Sequence, residues 1–301
     1  MADSDPYEDD LGESGELAAE DLFSVDMSLD PEGDESGYHI TNDKDDPFQR
    51  QHITERKGRV DVRCDLKDVA HGYFSADNDD LCTLIVIEFR FEPNGLANRI
   101  RQANIDITFS AIEKGNRDPE VIEMHPNGSF GIEPTQASVS TTKGGGLNLG
   151  AGAGPVNLGG DLKLERTVER QRPDMARLRG SIDLPRSRNN GVKSAVSWGL
   201  TENATDETGI ISLLRASILL KRRDMAHFKA KVNIKVKADL QSQFGAFFKS
   251  VPKDDDVLFN PERDPTNKLQ KYDIENLGLI DLKSLSDVTY QTFLKGTVKE
   301  Q

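Results

Sequence analysis

The sequence predicts a mainly β protein, an antiparallel β-sandwich with a barrel-like form as the alternative. Two observations support this prediction. Apolar residues recur at every second position in several segments, and these segments are separated by clusters of Gly, Asn, Asp and Pro. Period-two alternation is typical of strands with one buried face, because successive side chains leave the backbone on opposite sides. Many short strands between turns are typical of sandwiches and barrels.

The clearest strand covers residues 226–238, AHFKAKVNIKVKA, in which every second residue from Phe228 to Ala238 is apolar. Burial of its four large apolar side chains contributes roughly 6–12 kcal/mol before opposing terms, which is enough to anchor a sheet. A second alternating segment from Ala216 to Leu220 precedes it, with Arg222-Arg223-Asp224 between them. Together they predict a β-hairpin over 213–238.

Other predicted strands follow the same pattern at 60–64, 103–111, 120–124 and 196–200. The segment 81–92, LCTLIVIEFRFE, is apolar on both faces and therefore predicts a central strand that is covered on both sides. After the last long strand, the spacing of Leu240, Phe244, Phe247 and Phe248 predicts a short amphipathic helix.

The chain is predicted to have three parts, the first of which differs from the rest in charge. Residues 1–57 hold 18 acidic and 4 basic residues, whereas the remaining residues hold 34 of each. Such a composition predicts a disordered acidic tail over 1–57, followed by the sandwich domain at 58–265 and a C-terminal extension at 266–301 packed on it. Within the tail, apolar residues from Leu17 to Leu29 are mixed with acidic ones. The tail is either an inert solubilising segment or a segment that docks on a partner.

Residues 144–160 contain eight glycines in seventeen positions. Glycine at this density weakens regular structure, so the segment is predicted to be a flexible loop or a loosely held hairpin between 136–142 and 158–168.

The motifs of familiar catalytic and metal centres are missing from the sequence, so no catalytic residue, metal or cofactor is predicted. The five histidines stand singly, and the glycines match neither phosphate-binding pattern.

Cys64 and Cys82 lie in predicted strands and are expected to be buried thiols. The aspartates at 77–80 and 254–256 are either solvated turn residues or calcium ligands. An enzyme of unfamiliar design is left open as a third alternative.

The candidate site is a basic hairpin at 209–238, with eight cations and the single acidic residue Asp224. Its proposed anion-binding residues are Arg215, Lys221, Arg222, Arg223, Lys229, Lys231, Lys235 and Lys237. Such a stripe attracts an anionic lipid surface or an acidic protein segment. Nucleic acid is disfavoured, because few aromatic residues lie among the cations. Two alternatives are an edge strand protected from aggregation by its lysines and a stripe covered in cis by the acidic tail.

These features favour a non-enzymatic binding protein; the alternative is a pore-forming type of protein that inserts the Gly-rich 144–160 hairpin into a membrane. The first residues lack a basic and an apolar region, and the sequence holds no run of 18 apolar residues. An intracellular location, cytoplasmic or nuclear, is therefore expected.

The segment Ser197-Trp198-Gly199-Leu200-Thr201-Glu202-Asn203, followed by Leu219-Leu220-Lys221-Arg222, resembles β-rich proteins predicted in filamentous fungi. The Gly-rich segment fits the same resemblance, which spans about residues 58–265. It implies a β-rich fold. Those proteins are uncharacterised and have no known activity, so the resemblance transfers no functional residue.

Overall fold

The computed structural model describes residues 39–57, 60–93, 99–146, 163–238 and 253–290, and it confirms the antiparallel sandwich. The predicted helix at 240–248 lies outside the described residues. The strands are β1 (His52–Arg56), β2 (Val60–Tyr73), β3 (Leu81–Pro93), β4 (Ile100–Ala111), β5 (Glu120–His125), β6 (Gly128–Gly146), β7 (Lys163–Asp183), β8 (Ala195–Thr201), β9 (Leu213–Arg222), β10 (Phe228–Ala238), β11 (Val257–Phe259) and β12 (Asp287–Thr289).

The strands form two sheets. Sheet I has the order β1-β2-β3-β9-β12, with β5 also paired to β9, and sheet II has the order β11-β10-β4-β8-β7-β6. Each described sheet ends in edge strands, so the sandwich and not the barrel-like alternative is observed. The inner faces of the two sheets enclose the main core, in which Phe89 of β3 lies beside Trp198 of β8, with ring centroids 6.1 Å apart. The indole Nε1 of Trp198 donates a hydrogen bond to the carbonyl of Pro126 at 3.0 Å.

Strand β3 is central and covered on both sides, as its two apolar faces predict. Ile85, Ile87 and Phe89 point into the core between the sheets, and Leu84 and Val86 point to the opposite face. There they contact a second apolar cluster contributed by the C-terminal extension, namely Tyr272, Leu277, Leu282 and Leu285. These residues lie in irregular backbone, in a 3-10 turn (Leu277–Leu279) and in the short helix α1 (Leu282–Leu285).

The predicted 213–238 hairpin is wrong. Strand β9 pairs with β3, β5 and β12 in sheet I, whereas β10 pairs with β4 and β11 in sheet II. The physical reason lies in the faces of the two strands. Strand β9 is buried on both faces, with Leu219 apolar on the face opposite Ile218, whereas β10 alternates between buried and solvated positions. The connection between them therefore crosses from one sheet to the other.

The predicted disorder of the acidic tail does not hold for residues 39–57. Strand β1 joins sheet I, and the preceding residues bind the loop before β11. Asp254 accepts hydrogen bonds from the backbone of Ile40 at 2.8 Å and from Thr54 Oγ1 at 2.9 Å, and it forms an ion pair with Arg56 at 2.9 Å. Residues 39–57 hold four acidic and four basic residues, so the charge excess belongs entirely to residues 1–38, which lie outside the described residues.

A buried carboxylate fixes the C-terminal extension to sheet I. Asp68 of β2 is fully buried and accepts four hydrogen bonds. They come from Thr266 Oγ1 and Tyr272 OH at 2.6 Å each and from the backbone N–H groups of Lys268 and Leu269 at 2.9 Å each. Burial and the hydrogen bond to Asp68 both raise the pKa of Tyr272, so this phenol remains a donor.

The β6–β7 hairpin extends beyond the sheet to which it belongs. Strand β8 pairs with β7 only from Arg177 to Asp183, and a register shift interrupts β6 between Ile132 and Thr135. Beyond these points, residues 135–146 and 163–174 pair only with each other in the described part of the chain. Twelve extended residues span about 40 Å. Residues 144–146 of the Gly-rich segment are thus paired, and residues 147–160 lie outside the described residues.

Among the described residues, no helix combines the length and the apolar character needed to span a membrane.

Replacement of Asp68 by Asn should lower the free energy of unfolding by about 2–4 kcal/mol, because the amide keeps one acceptor oxygen and presents N–H groups to the remaining donors. Urea denaturation measures this change. Asp77→Asn, at an exposed loop position, is the control and should change stability by less than about 0.5 kcal/mol. Equal stability of the two variants would contradict the role of Asp68.

Candidate anion-binding face

Half of the predicted anion-binding residues have partners inside the protein. Arg215 Nη2 forms an ion pair with Glu88 at 2.8 Å, Lys221 with Asp80 at 2.8 Å and Lys229 with Asp256 at 2.7 Å. Arg222 is only 5% exposed. The two strands that carry these residues lie in different sheets, so the eight predicted cations do not form one surface.

Glu88 explains why Arg215 is not available to a partner. Its carboxylate is fully buried and contacts Lys67, Arg90 and Arg215 at 2.8–3.1 Å. Burial raises the pKa of Glu88, but the hydrogen bonds from Arg215, Lys67 and Arg90 outweigh it, so the pKa lies below its ordinary value. Arg215 therefore balances an internal charge on sheet I.

Arg222 lies at one end of the core. It donates hydrogen bonds to the carbonyls of Asp224 at 2.9 Å and Cys82 at 3.3 Å, and burial lowers its pKa to about 10. Burial, with a smaller effect of the Arg222 charge, lowers the pKa of His71 to about 3. The imidazole is thus neutral near pH 7 and bonds Thr83 Oγ1 through Nδ1 at 2.9 Å. These contacts assign Arg222 a structural role.

The remaining predicted residues face solvent. Lys231, Lys235 and Lys237 lie on the outer face of sheet II, opposite the core residues Phe228, Ala230 and Val236 of the same strand. Lys231 is exposed, and the other two lysines are half-buried. Arg223 is exposed in the connection between the sheets.

The strand register adds two arginines that were not predicted. Lys235 is aligned through Asn104 and Gly199 with Arg179, and Lys237 is aligned through Gln102 and Thr201 with Arg177. Three strand spacings separate each lysine from its arginine, roughly 14 Å. We call Arg177, Arg179, Lys231, Lys235 and Lys237 the cationic face. Its floor consists of small or amide side chains and the backbone of Gly199.

The carboxylates beside the cationic face are already bound. Asp106 pairs with Arg186 at 2.8 Å, and Asp183 accepts hydrogen bonds from Ser181 at 2.9 Å and Ser197 at 2.6 Å. Within the described ranges, no ion pair joins any of the five cations to a carboxylate. The serine hydroxyls leave the charge of Asp183 in place, so the five cations are without ion pairs in the described ranges but share the outer face with this carboxylate.

Sequence reasoning missed Arg177 and Arg179 because they are about 60 residues from β10 in the chain. Their alternation with Leu178 indicates a strand with outward cations, but it does not indicate which strands lie beside it. That information resides in the register of three long-range pairings.

The aspartates considered as solvated turn residues or calcium ligands make contacts within the protein. Asp254 and Asp256 bind the N-terminal residues and Lys229, and Asp80 pairs with Lys221. The described residues contain no cluster of three or more metal-ligating side chains.

Cys64 and Cys82 are free and buried as predicted, and burial raises the pKa of both thiols, that of Cys82 to about 11.

No protein-family model and no curated protein matches the chain. Among solved structures, the chain is similar to the Clostridium perfringens NetB toxin in its membrane-inserted form, with a TM-score of 0.25 and 7% sequence identity. The similarity covers 62% of this chain and 89% of the toxin chain. A similarity at this level carries no functional inference, so the proposals below depend on the contacts just described.

Glu88→Gln should lower the free energy of unfolding at pH 7 by about 1–3 kcal/mol, because three cations lose a buried carboxylate partner. The pKa of Glu88 is lower in the folded than in the unfolded chain, so its contribution is present above the ordinary value of 4.5. It disappears as the pH falls through the folded-state pKa.

The stability difference between wild type and Glu88→Gln should therefore shrink between pH 5 and pH 3, measured by denaturant unfolding at each pH. Glu92→Gln, at an exposed position of the same strand, is the control. A difference that stays constant over this range would contradict the assignment.

Proposed function

We propose that the protein is a non-enzymatic binding protein that attaches to an anionic lipid surface through the cationic face of sheet II. The observation that supports the proposal is the strand register, which aligns Lys235 with Arg179 and Lys237 with Arg177; none of these four forms an ion pair with a carboxylate of the described residues. Each cation that reaches an anionic membrane contributes about 1 kcal/mol. Five such cations on one face would attract the protein to the membrane by about 5 kcal/mol, and added salt would weaken this attraction.

The shape of the cationic face favours a lipid surface as the partner. The cations stand on the open face of a sheet, about 14 Å apart across the strands, and along the strands about 7 Å separate Lys235 from Lys237 and about 14 Å separate Lys231 from Lys235. An extended anionic surface can contact all of them together, whereas a small anion can contact only one or two. An acidic protein segment is the other partner class with charge spread over this distance.

A second candidate function is membrane insertion by the β6–β7 hairpin. The observation that favours it is the free length of the hairpin, since twelve residues per strand exceed the 9–11 that cross a bilayer. The sequence opposes it in part. Lys163, Glu165, Arg166, Glu169, Arg170 and Arg172 lie in the projecting strand, and a Lys or Arg that faces lipid at the bilayer midplane costs about 2–4 kcal/mol. The hairpin therefore ranks behind the cationic face.

Combined replacement of Lys231, Lys235 and Lys237 by Gln should weaken binding of the full chain to phosphatidylserine-containing vesicles at least ten-fold. Loss of about 1 kcal/mol per lysine is the physical reason. Vesicle sedimentation at two salt concentrations measures the affinity, and added salt should weaken wild-type binding more than binding of the variant.

The matched control replaces three exposed lysines outside the cationic face, Lys114, Lys193 and Lys271, by Gln, which changes the net charge equally. Equal affinities of both triple variants would refute the lipid proposal. Wild-type binding to polyglutamate, without binding to vesicles, would assign the cationic face to an acidic protein partner.

The second candidate predicts that wild-type protein releases dye from acidic vesicles and that deletion of residues 144–160 abolishes release while vesicle binding persists. The deletion removes the end of the hairpin and leaves the cationic face in place. A fluorescence-dequenching assay measures release. Intact vesicles at micromolar bound protein would eliminate membrane insertion.

A further inference from the structure

Strand β10 has an open edge over most of its length. Strand β4 pairs with one edge from Phe228 to Ala238, but on the other edge β11 pairs only with Phe228–Ala230. In the described part of the chain, residues 231–238 have no neighbour on that side. An open edge presents backbone N–H and C=O groups to an additional strand.

The core beneath this edge is incompletely covered. Val232 and Ile234 point inward from β10 and pack on the main core, yet both are only half-buried. Phe228 and Val236 of the same face are 2% exposed. An added strand with an apolar inner face would complete the burial of Val232 and Ile234.

Residues 23–30 of this chain, FSVDMSLD, have the matching pattern. Phe23, Val25, Met27 and Leu29 alternate with Ser24, Asp26, Ser28 and Asp30. Such a segment would present four apolar side chains to the core and two carboxylates beside Lys231, Lys235 and Lys237. It has eight residues, as many as the open edge from 231 to 238.

The first described residues begin close to this edge. The carbonyl of Ile40 accepts a hydrogen bond from the backbone of Asp255 at 3.0 Å, two residues before Val257, which pairs with Ala230. Residues 31–38 can span up to roughly 26–29 Å when extended. The open edge is about 24 Å long. Residues 23–30 can therefore reach it.

We propose that residues 23–30 add a strand to the open edge of β10 within the same chain. Residues 1–38 carry 14 acidic residues and no basic one, so the added strand and its flanks also compensate the cationic face. This last consequence depends on the proposed function. Residues 1–38 compete with the anionic surface for the cationic face, and their release exposes the lysines. The strand addition itself does not depend on it.

Amide hydrogen exchange of residues 231–238 in the full chain tests the proposal. Val25→Asp with Met27→Asp places charge on the inner face of the added strand, so exchange of these amides should accelerate at least ten-fold. Ser24→Asp with Ser28→Asp adds the same charge to the outer face and should leave exchange unchanged. Trp198 fluorescence verifies that both variants keep the folded core.

Equal exchange in the two double variants overturns the proposal. Protection that depends on protein concentration and accompanies a dimeric mass also overturns it, since the strand then comes from a second copy. Loss of protection in Phe244→Asp with Phe247→Asp, but not in Val25→Asp with Met27→Asp, assigns the edge to residues 239–250 instead and overturns it.

Vesicle affinity is the second readout, with a gain of at least ten-fold expected for Val25→Asp with Met27→Asp only. Absence of vesicle binding in every variant refutes the proposed function and leaves the exchange result to decide the strand addition.

Discussion

Burial of β3 and β9 on both faces is the constraint on which the arrangement of the molecule depends. Both strands carry large apolar side chains on both of their faces, so each face of sheet I must be covered by other parts of the protein. Sheet II supplies one cover, and the C-terminal extension supplies the other over Leu84, Val86 and Leu219. Farther along β3 on the same face, the carboxylate of Glu88 pairs with three cations. Lys67, Arg90 and Arg215 on this face of sheet I are thus paired with an internal carboxylate.

Internal polar groups decide which charged residues remain available. Asp68 and Glu88 are buried carboxylates, and each is stable there because donors surround it completely. Arg215 forms an ion pair with Glu88, and Arg222 donates hydrogen bonds to backbone carbonyls at the end of the core. On sheet II no buried carboxylate competes for Lys235 or Lys237 among the described residues. The count of basic residues along the chain does not express these internal pairings.

The sequence predicts the strands well because alternation is a local property. The alternation within Phe228–Ala238 and within Leu81–Phe91 predicts which faces of these strands are buried. The burial of β3 on both faces follows from its own residues alone. Neighbour relations are long-range properties and were not predictable. Arg177 and Arg179 join Lys235 and Lys237 only through β8 and β4, and β9 and β10 separate into two sheets although a short turn connects them. Ordering of residues 39–57 was missed in part for the same reason, since Ile40, Thr54 and Arg56 bind Asp254, which lies about 200 positions away.

In the described part of the chain, the projecting part of the β6–β7 hairpin pairs only with itself. The two strands therefore satisfy each other's backbone groups there, and the pairing of the two sheets does not fix the length of this stem. Removal of one paired residue from each strand of this stem would leave the register between β7 and β8 unchanged.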